Sequence, residues 1–399
     1  MSRGAASMRL AILTSHVIQY QAPFFQRLAR EPDVDLTVVY CSLAGATLMH
    51  DREMSTTMQW NLELLSGYRY VTLRNLRKDL SGGFFRLTNP GVIPHLIRKR
   101  YDAAIFMFGW GSLTALLAAF TCWLTRTPFF FFGDSSFPPP ATTTRARIRD
   151  RFLRFLFSRA TGFMTSGALN ADYYRHYGAD PRTFFLLPWA VDNDRFEAES
   201  RFVSGERDAL RAQYGIAPDQ IAFLYSAKLL PRKDPMTLLR GFEQMRERER
   251  AVIVFMGEGV LREELETYTR EHGLERGVRF IGFVNQREIP KHYAMCDVFV
   301  LPSLYEPRGA VLNEAMACGL PVVVTDRCGS IGDIVRPNDN AFVYPAGDAG
   351  ALASDLDRLA ADDEMRARMA QRSREIIGGW SYERGVEGVK AMLQWLRTR

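Results

Sequence analysis

The stretch Val298-Phe-Val-Leu301-Pro-Ser-Leu-Tyr-Glu306-Pro-Arg-Gly309-Ala-Val-Leu-Asn-Glu314-Ala-Met-Ala-Cys-Gly319-Leu-Pro321-Val-Val-Val-Thr325 decides how this chain is read. Val298–Leu301 and Val322–Thr325 are short β-branched runs, the pattern of buried strands. Between them Gly309 opens a helix, and Gly319-Leu-Pro321 closes it and leads into the next strand. Strand, loop, helix and strand in this order make a β-α-β unit, which belongs to a parallel sheet with helices on its faces.

The same alternation extends in both directions. Toward the N-terminus of this half lie strands at Ile221–Ser226, Val252–Met256 and Val278–Ile281, separated by helical stretches. The first half reads as strands Arg9–Thr14, Asp35–Cys41, Arg69–Leu73, Ala103–Phe108, Pro128–Phe132, Gly162–Thr165 and Thr183–Leu187. An α/β protein with two doubly wound halves follows, and 399 residues suit two domains. The expected boundaries are an N-terminal domain at 8–196, an Arg-rich linker at 197–219, a C-terminal domain at 220–378, and a tail at 379–399. Two such domains facing each other leave a cleft at the carboxyl ends of their strands, where ligands of open α/β sheets bind.

Bulk composition narrows the partners without choosing one. The apolar share is 47%, the charged share 24%, and the net charge +6, values of a globular protein that favours anionic ligands. Cys41, Cys122, Cys296, Cys318 and Cys328 form no CxxC pair and no zinc-ligand spacing, so they read as free thiols in a reducing compartment. The N-terminus lacks a signal-peptide pattern, and a cytoplasmic location is the expectation. Ala103–Thr125 is uncharged and long enough to span a bilayer. Gly109-Trp110-Gly111 interrupts it, however, and a strand, a turn and an apolar helix explain the run better.

The loops after strands carry the chemistry. The first N–H groups of the helix opened by Gly309, near Ala310 and Val311, lack intrahelical partners and carry positive partial charge, an anion site that fits a phosphate. Glu314, a turn further in, can accept two hydroxyl hydrogen bonds such as a ribose offers, and Glu306 can reach hydroxyls of a sugar beyond the phosphates. After Ile221–Ser226 come Lys228 and Lys233, two cations suited to a diphosphate. Asp234-Pro235 reads as a helix N-cap and first residue. Gly257-Glu258-Gly259, after Val252–Met256, supplies glycines for close backbone approach.

These residues resemble those of the family-four retaining glycosyltransferases of the GT-B fold. Glu306 and Glu314 stand as an E-x7-E pair, Lys228 and Lys233 as the lysines of a "G-[RK]-L…K" loop, and Met256-Gly-Glu-Gly-Val-Leu, Val278-Arg-Phe-Ile-Gly282, Pro188…Val191-Asp192…Phe196 and Trp380-Ser-Tyr-Glu follow the family's order. The match runs from about Phe185 to the end. The resemblance implies a hexose moved with retained configuration from a nucleoside-diphosphate sugar to a glycan or lipid-linked acceptor, in cell-surface polysaccharide synthesis. It assigns the diphosphate to Lys228 and Lys233, the ribose to Glu314, the transferred sugar to Glu306, and the neighbourhood of the base to Gly282, Phe283 and Val284. It implies no metal and no cofactor, and a tail helix at about Tyr382 to Leu396 that crosses back onto the N-terminal domain. Arg308, Ala227 and Ala341 depart from the family pattern, and Arg308 reads either as a donor contact or as a solvated side chain.

The first half matches less well. Its first loop, Ser15-His16-Val-Ile-Gln19-Tyr20-Gln21-Ala22-Pro23, lacks glycine, and its middle strand ends without the family's histidine. His16, Gln19 and Asp134 follow strands and read either as acceptor contacts or as structural residues, with His16 and Asp134 also the catalytic candidates of this half. Trp60-Asn…Leu64-Leu-Ser-Gly67-Tyr68 resembles a segment of related enzymes, with no role attached to it. Between residues 145 and 159 six arginines interleave with Phe152, Leu153, Phe155, Leu156 and Phe157. That pattern reads either as a helix with a buried aromatic face or as a peripheral attachment to anionic lipid on the inner face of the plasma membrane. Nucleic acid is not expected, since no recognition motif accompanies the charge. Two alternatives to transfer remain open: a catalytically silent sugar-nucleotide-binding relative, and a sugar-nucleotide epimerase.

Overall fold

The computed structural model describes residues 7–47, 49–51, 56–58, 60–77, 83–135, 143–202 and 205–399. The chain divides into two compact units. The first comprises residues 1–48, 63–189 and 382–399, and the second 49–62 and 190–381.

The first unit is built on seven parallel strands: β1 (Met8–Thr14), β2 (Val34–Tyr40), β3 (Tyr70–Thr72), β4 (Ala103–Phe106), β5 (Phe129–Phe132), β6 (Gly162–Thr165) and β7 (Phe184–Leu186), in the order β3-β2-β1-β4-β5-β6-β7. Helices cover both faces, so central strands carry no polar side. Every residue of β4 and β5 is buried, which is why four consecutive phenylalanines form a strand; each buried ring contributes about 1.5–3 kcal/mol. The uncharged run after Ala103 resolves into β4, a turn through Gly109 at φ 67°, and the helix Leu113–Thr125. Ser112 caps that helix by accepting from Ala115 N at 3.2 Å. No helix among the described residues is long and apolar enough to cross a membrane.

The C-terminal helix Tyr382–Arg397 belongs to this first unit, against the helix Ala22–Leu28 and strand β7. Close approach there requires glycine: a Cβ on Gly388 would lie 1.7 Å from Leu186 O. Tyr382 Oη donates to Tyr20 O at 2.7 Å and fixes the helix start.

The second unit holds six parallel strands: β8 (Ile221–Ser226), β9 (Ala251–Met256), β10 (Val278–Gly282), β11 (Val298–Leu301), β12 (Val322–Thr325) and β13 (Ala341–Tyr344). Their order is β10-β9-β8-β11-β12-β13. The last strand escapes the sequence reading because Ala341–Tyr344 is short and lies between polar turns. The expected linker at 197–219 is corrected here. Its helix Glu206–Gln213 is part of the second unit, and its Arg211 is 1% exposed. Arg211 donates to Met295 O at 3.0 Å and Ala217 O at 2.9 Å and pairs with Asp297 at 3.3 Å. A guanidinium so enclosed anchors the stretch that its polar composition had suggested was loose.

In both sheets the strand order reverses beside the first strand, between β1 and β4 and between β8 and β11. At such a switch point the two adjacent loops leave in opposite directions and open a crevice at the carboxyl ends of the strands. In the second unit those two loops carry Lys228–Lys233 and Glu306.

Candidate functional site

The loop after β8 and the loop after β11 are joined by backbone and by charge. Leu304 N donates to Arg232 O at 3.0 Å, and the Lys233 ammonium forms an ion pair with Glu306 Oε2. Glu306 is only 6% exposed, so the lysine supplies the counter-charge that a buried carboxylate needs. The backbone of Glu306 is held as well: its N–H donates to Arg327 O at 3.1 Å, and its carbonyl accepts from Gly329 N at 2.7 Å.

Arg308 is neither a solvated arginine nor placed by an observed donor contact. It is 6% exposed and pairs with the equally buried Asp333 at 2.7 Å, with a further bond to Gly329 O at 3.3 Å. Ser330 Oγ donates to Arg308 O. The segment from Arg327 to Asp333 therefore clasps the Glu306–Gly309 loop from both its backbone and its side chains. Sequence reading missed Asp333 because the two partners lie 25 residues apart on consecutive strand-end loops.

Gly309 sits at φ 67° ahead of the helix Ala310–Ala317, with no side-chain cap. A side chain there would be strained, and its Cβ would press on Glu306 Cγ at 3.2 Å. The helix start at Ala310 and Val311 is thus left to backbone N–H groups. Glu314, one turn on, is 1% exposed and accepts from Tyr293 Oη at 2.8 Å. Tyr293 comes from the helix Ile289–Ala294, and nothing in the spacing of the motif announces it.

The glycine loop has a structural task. A Cβ on Gly257 would meet Ala227 O at 2.1 Å, and one on Gly259 would meet Leu229 O at 2.4 Å. Leu229 N donates to Glu258 O at 2.9 Å, and Leu261 N to Leu229 O at 3.1 Å. The close backbone approach expected of Gly257 is therefore to the lysine loop, which it holds in place beside Lys228. Asp234, at φ 45°, caps the helix Pro235–Gln244 through Thr237 N at 3.3 Å and Thr237 Oγ1 at 2.6 Å. Gly282, at φ 76°, ends β10 at a register shift and accepts from Gly257 N at 2.8 Å. The next residue, Phe283, packs its ring 6.4 Å from Trp60, and Arg287 N donates to Asn61 Oδ1 at 3.3 Å. The Trp60-Asn61 pair thus joins the second unit, beside the loop that contains Gly282, Phe283 and Val284.

In the first unit His16 follows β1. Its Nδ1 lies 2.9 Å from Ser15 Oγ, and burial, followed by the Arg86 charge, holds its pKa below the usual 6.5. Asp134 is exposed on the loop after β5, two places from β1 in the sheet. Gln21 is a residue that the sequence reading left without a role. Its Oε1 accepts from Thr14 Oγ1 at 2.9 Å, and its buried Nε2 has no hydrogen-bond partner, an open donor at the switch point of this sheet. The five cysteines are free and buried. Burial pushes Cys41, Cys122 and Cys328 up to about 12, which leaves them poor nucleophiles.

Two parallel-sheet units, each with a crevice at its switch point, were compared with known proteins. Residues 206–376 match the family model "Glycosyl transferases group 1", and the chain has the GT-B fold. An uncharacterized glycosyltransferase of Methanocaldococcus jannaschii is 33% identical over 194 residues, 48% of this chain and 47% of that protein. The D-inositol 3-phosphate glycosyltransferase of Geodermatophilus obscurus is 31% identical over 226 residues, 54% of this chain and 48% of that protein. The chain thus spans about half the length of these curated relatives. Among solved structures, the Anabaena protein HepE in complex with UDP superposes with a TM-score of 0.75 at 18% identity, covering 97% of this chain and 100% of that one.

Proposed function

We propose that the protein is a retaining glycosyltransferase that moves a hexose from a nucleoside-diphosphate sugar to a glycan or lipid-linked acceptor of the cell surface, without a metal or other cofactor. The observation that carries the donor assignment is the convergence of Lys233, Glu306 and Glu314 around the uncapped helix start at Gly309. Lys228, Lys233 and the N–H groups of Ala310 and Val311 supply positive charge where the diphosphate would lie. Glu314, held by Tyr293, takes the ribose hydroxyls, and Glu306 takes hydroxyls of the transferred sugar.

In this reading the Lys233–Glu306 pair stores both charges before the donor arrives, and the diphosphate then competes with Glu306 for the ammonium. On the retaining route the leaving phosphate accepts the proton of the acceptor hydroxyl as the glycosidic bond to phosphate breaks and the new one forms on the same face. The protein contributes positioning and stabilisation of the departing charge. In the first unit, His16 and the open Gln21 amide are the proposed acceptor contacts, with Asp134 a weaker one.

The test is a thermal-shift panel of nucleotide sugars followed by product analysis. UDP and GDP sugars come first, since HepE is described with UDP-glucose and a relative from Mycolicibacterium smegmatis is named as GDP-mannose-dependent. A ligand at a hundred times its Kd stabilises by about 2.7 kcal/mol. Donor binding with neither transfer nor hydrolysis would favour a silent sugar-nucleotide-binding relative, and a sugar altered without an acceptor would favour an epimerase.

A further inference from the structure

Away from the crevice loops, the first unit displays an apolar surface that its own fold leaves uncovered. The helix Thr144–Arg159 buries Leu153, Leu156 and Phe157, so the aromatic face expected to be internal is only partly so. Ile148, Phe152 and Phe155, at i, i+4 and i+7, form a second stripe that is 63%, 37% and 58% exposed. The last turns of the helix Leu113–Thr125 add Phe120, Trp123 and Leu124, each half or more exposed. Arg159 joins the two helices: its guanidinium lies 5.2 Å from the Phe155 ring and 5.8 Å from the Trp123 ring. Six large apolar side chains on two neighbouring helices, linked by one arginine, exceed the scattered exposure normal for a surface.

The charge around them has one sign. Arg145, Arg147, Arg151, Arg154 and Arg159 are exposed on the same helix as the apolar stripe. Its single acid, Asp150, is paired with Arg149 at 2.8 Å. Beside Trp123 and Leu124 opens a cavity of about 620 Å³ whose lining includes Arg126, Arg159, Arg399 and Leu396. It lies at the amino ends of β5 and β6, marked by Phe129 and Thr161, the opposite end of the sheet from the loops that carry His16 and Asp134. The helix carbonyls nearest to it are already bonded: Trp123 O accepts from Arg126 N at 3.3 Å, and Cys122 O from Thr127 N at 2.8 Å.

We propose that this surface is a membrane-docking face, with Phe120, Trp123, Leu124, Ile148 and Phe155 entering the interfacial layer of an anionic bilayer. The Arg126–Arg159–Arg399 cavity receives a lipid phosphate. Aromatic and branched side chains ringed by arginines match an interface that is apolar within and negatively charged at its headgroups. The proposal goes beyond the donor-site reading and does not depend on it.

The test is co-sedimentation of the full chain with vesicles of phosphatidylcholine, alone or mixed with phosphatidylglycerol. Binding should require the anionic lipid and weaken with salt. Trp123→Ser with Phe155→Ser, and separately Arg126→Gln with Arg159→Gln, should each reduce partitioning by at least about tenfold, while the far-UV circular dichroism and Tm of each variant stay as in the wild type and report an intact fold. Equal binding to neutral vesicles, unchanged binding of both variants, or a concentration-dependent dimer dispersed by the serine changes would overturn the proposal. The last outcome would assign the face to a second copy instead. Loss of wild-type binding to the anionic vesicles in millimolar inorganic phosphate, but not in sodium chloride of equal ionic strength, would support phosphate recognition in the cavity, and equal loss in both salts would remove the phosphate from the cavity.

Discussion

The two switch points of this molecule share a topology and differ in chemistry. In the second unit the residues after β8 and β11 are tied down by charge and by hydrogen bond: Lys233 pairs with Glu306, Arg308 with Asp333 from the loop after β12, and Glu314 accepts from Tyr293. In the first unit the loop after β1 offers His16, held toward its neutral form, and the unpaired amide nitrogen of Gln21. One crevice gathers charged side chains held by partners, and the other presents hydrogen-bonding groups without a fixed charge. Strand order makes a crevice in both; the residues at its rim decide what it can hold.

The sharpest way to break this contrast is Glu314→Ala. If Glu314 carries two ribose hydroxyls, the change should lower kcat/KM by about 10³-fold while leaving the fold intact. Unchanged turnover, measured with saturating acceptor, would remove the donor site from the second unit. Arg308→Ala tests whether the clasp is structural. It leaves Asp333 buried without its cation and should cost about 3–5 kcal/mol of stability, read by denaturant unfolding. Arg308→Met combined with Asp333→Leu should recover most of that loss, and failure to recover it would mean that the clasp depends on the bond to Gly329 O rather than on the charge pair.

Tyr293→Phe is smaller. Removing one hydrogen bond to a carboxylate is worth about 1.5–3 kcal/mol, so donor KM should rise about tenfold or more, with kcat changed less. An equal fall in kcat with KM constant would argue that Tyr293 acts on chemistry rather than on the hold of Glu314. The weakest effect is expected in the first unit. The pKa of His16 is depressed in the folded state, so the unfolded chain takes up its proton first as pH falls. Its contribution to stability should therefore be present above the unfolded value near 6.5 and fade as pH drops toward the lower folded value. His16→Asn should flatten that part of the pH dependence of Tm; an unchanged profile would mean that the ring is not held neutral.

Much of the fold is legible in the chain because its signals are local. Ile221–Ser226, Gly162–Thr165, Val298–Leu301 and Val322–Thr325 are strands at the residues where β-branched and aromatic runs place them. Asp234 caps its helix as its position before Pro235 implies. Ala341–Tyr344 was hidden because four residues between polar turns carry little periodicity. The 197–219 stretch was misread because composition reports polarity, whereas Arg211 is buried by partners from Met295, Asp297 and Ala217.

By itself the sequence determined the alternating α/β pattern, the charged residue types at the ends of β8 and β11, and the glycines whose backbone admits no side chain. Those follow from periodicity, from helix-terminus chemistry and from the sterics of single residues. Tertiary structure alone decided that Lys233 neutralises Glu306, that Asp333 encloses Arg308, that Tyr293 holds Glu314, and that Phe155 and Trp123 share one exposed surface. Each of these joins loops or helices distant in the chain. Which side chains meet there depends on strand order and packing depth, and no local pattern encodes either.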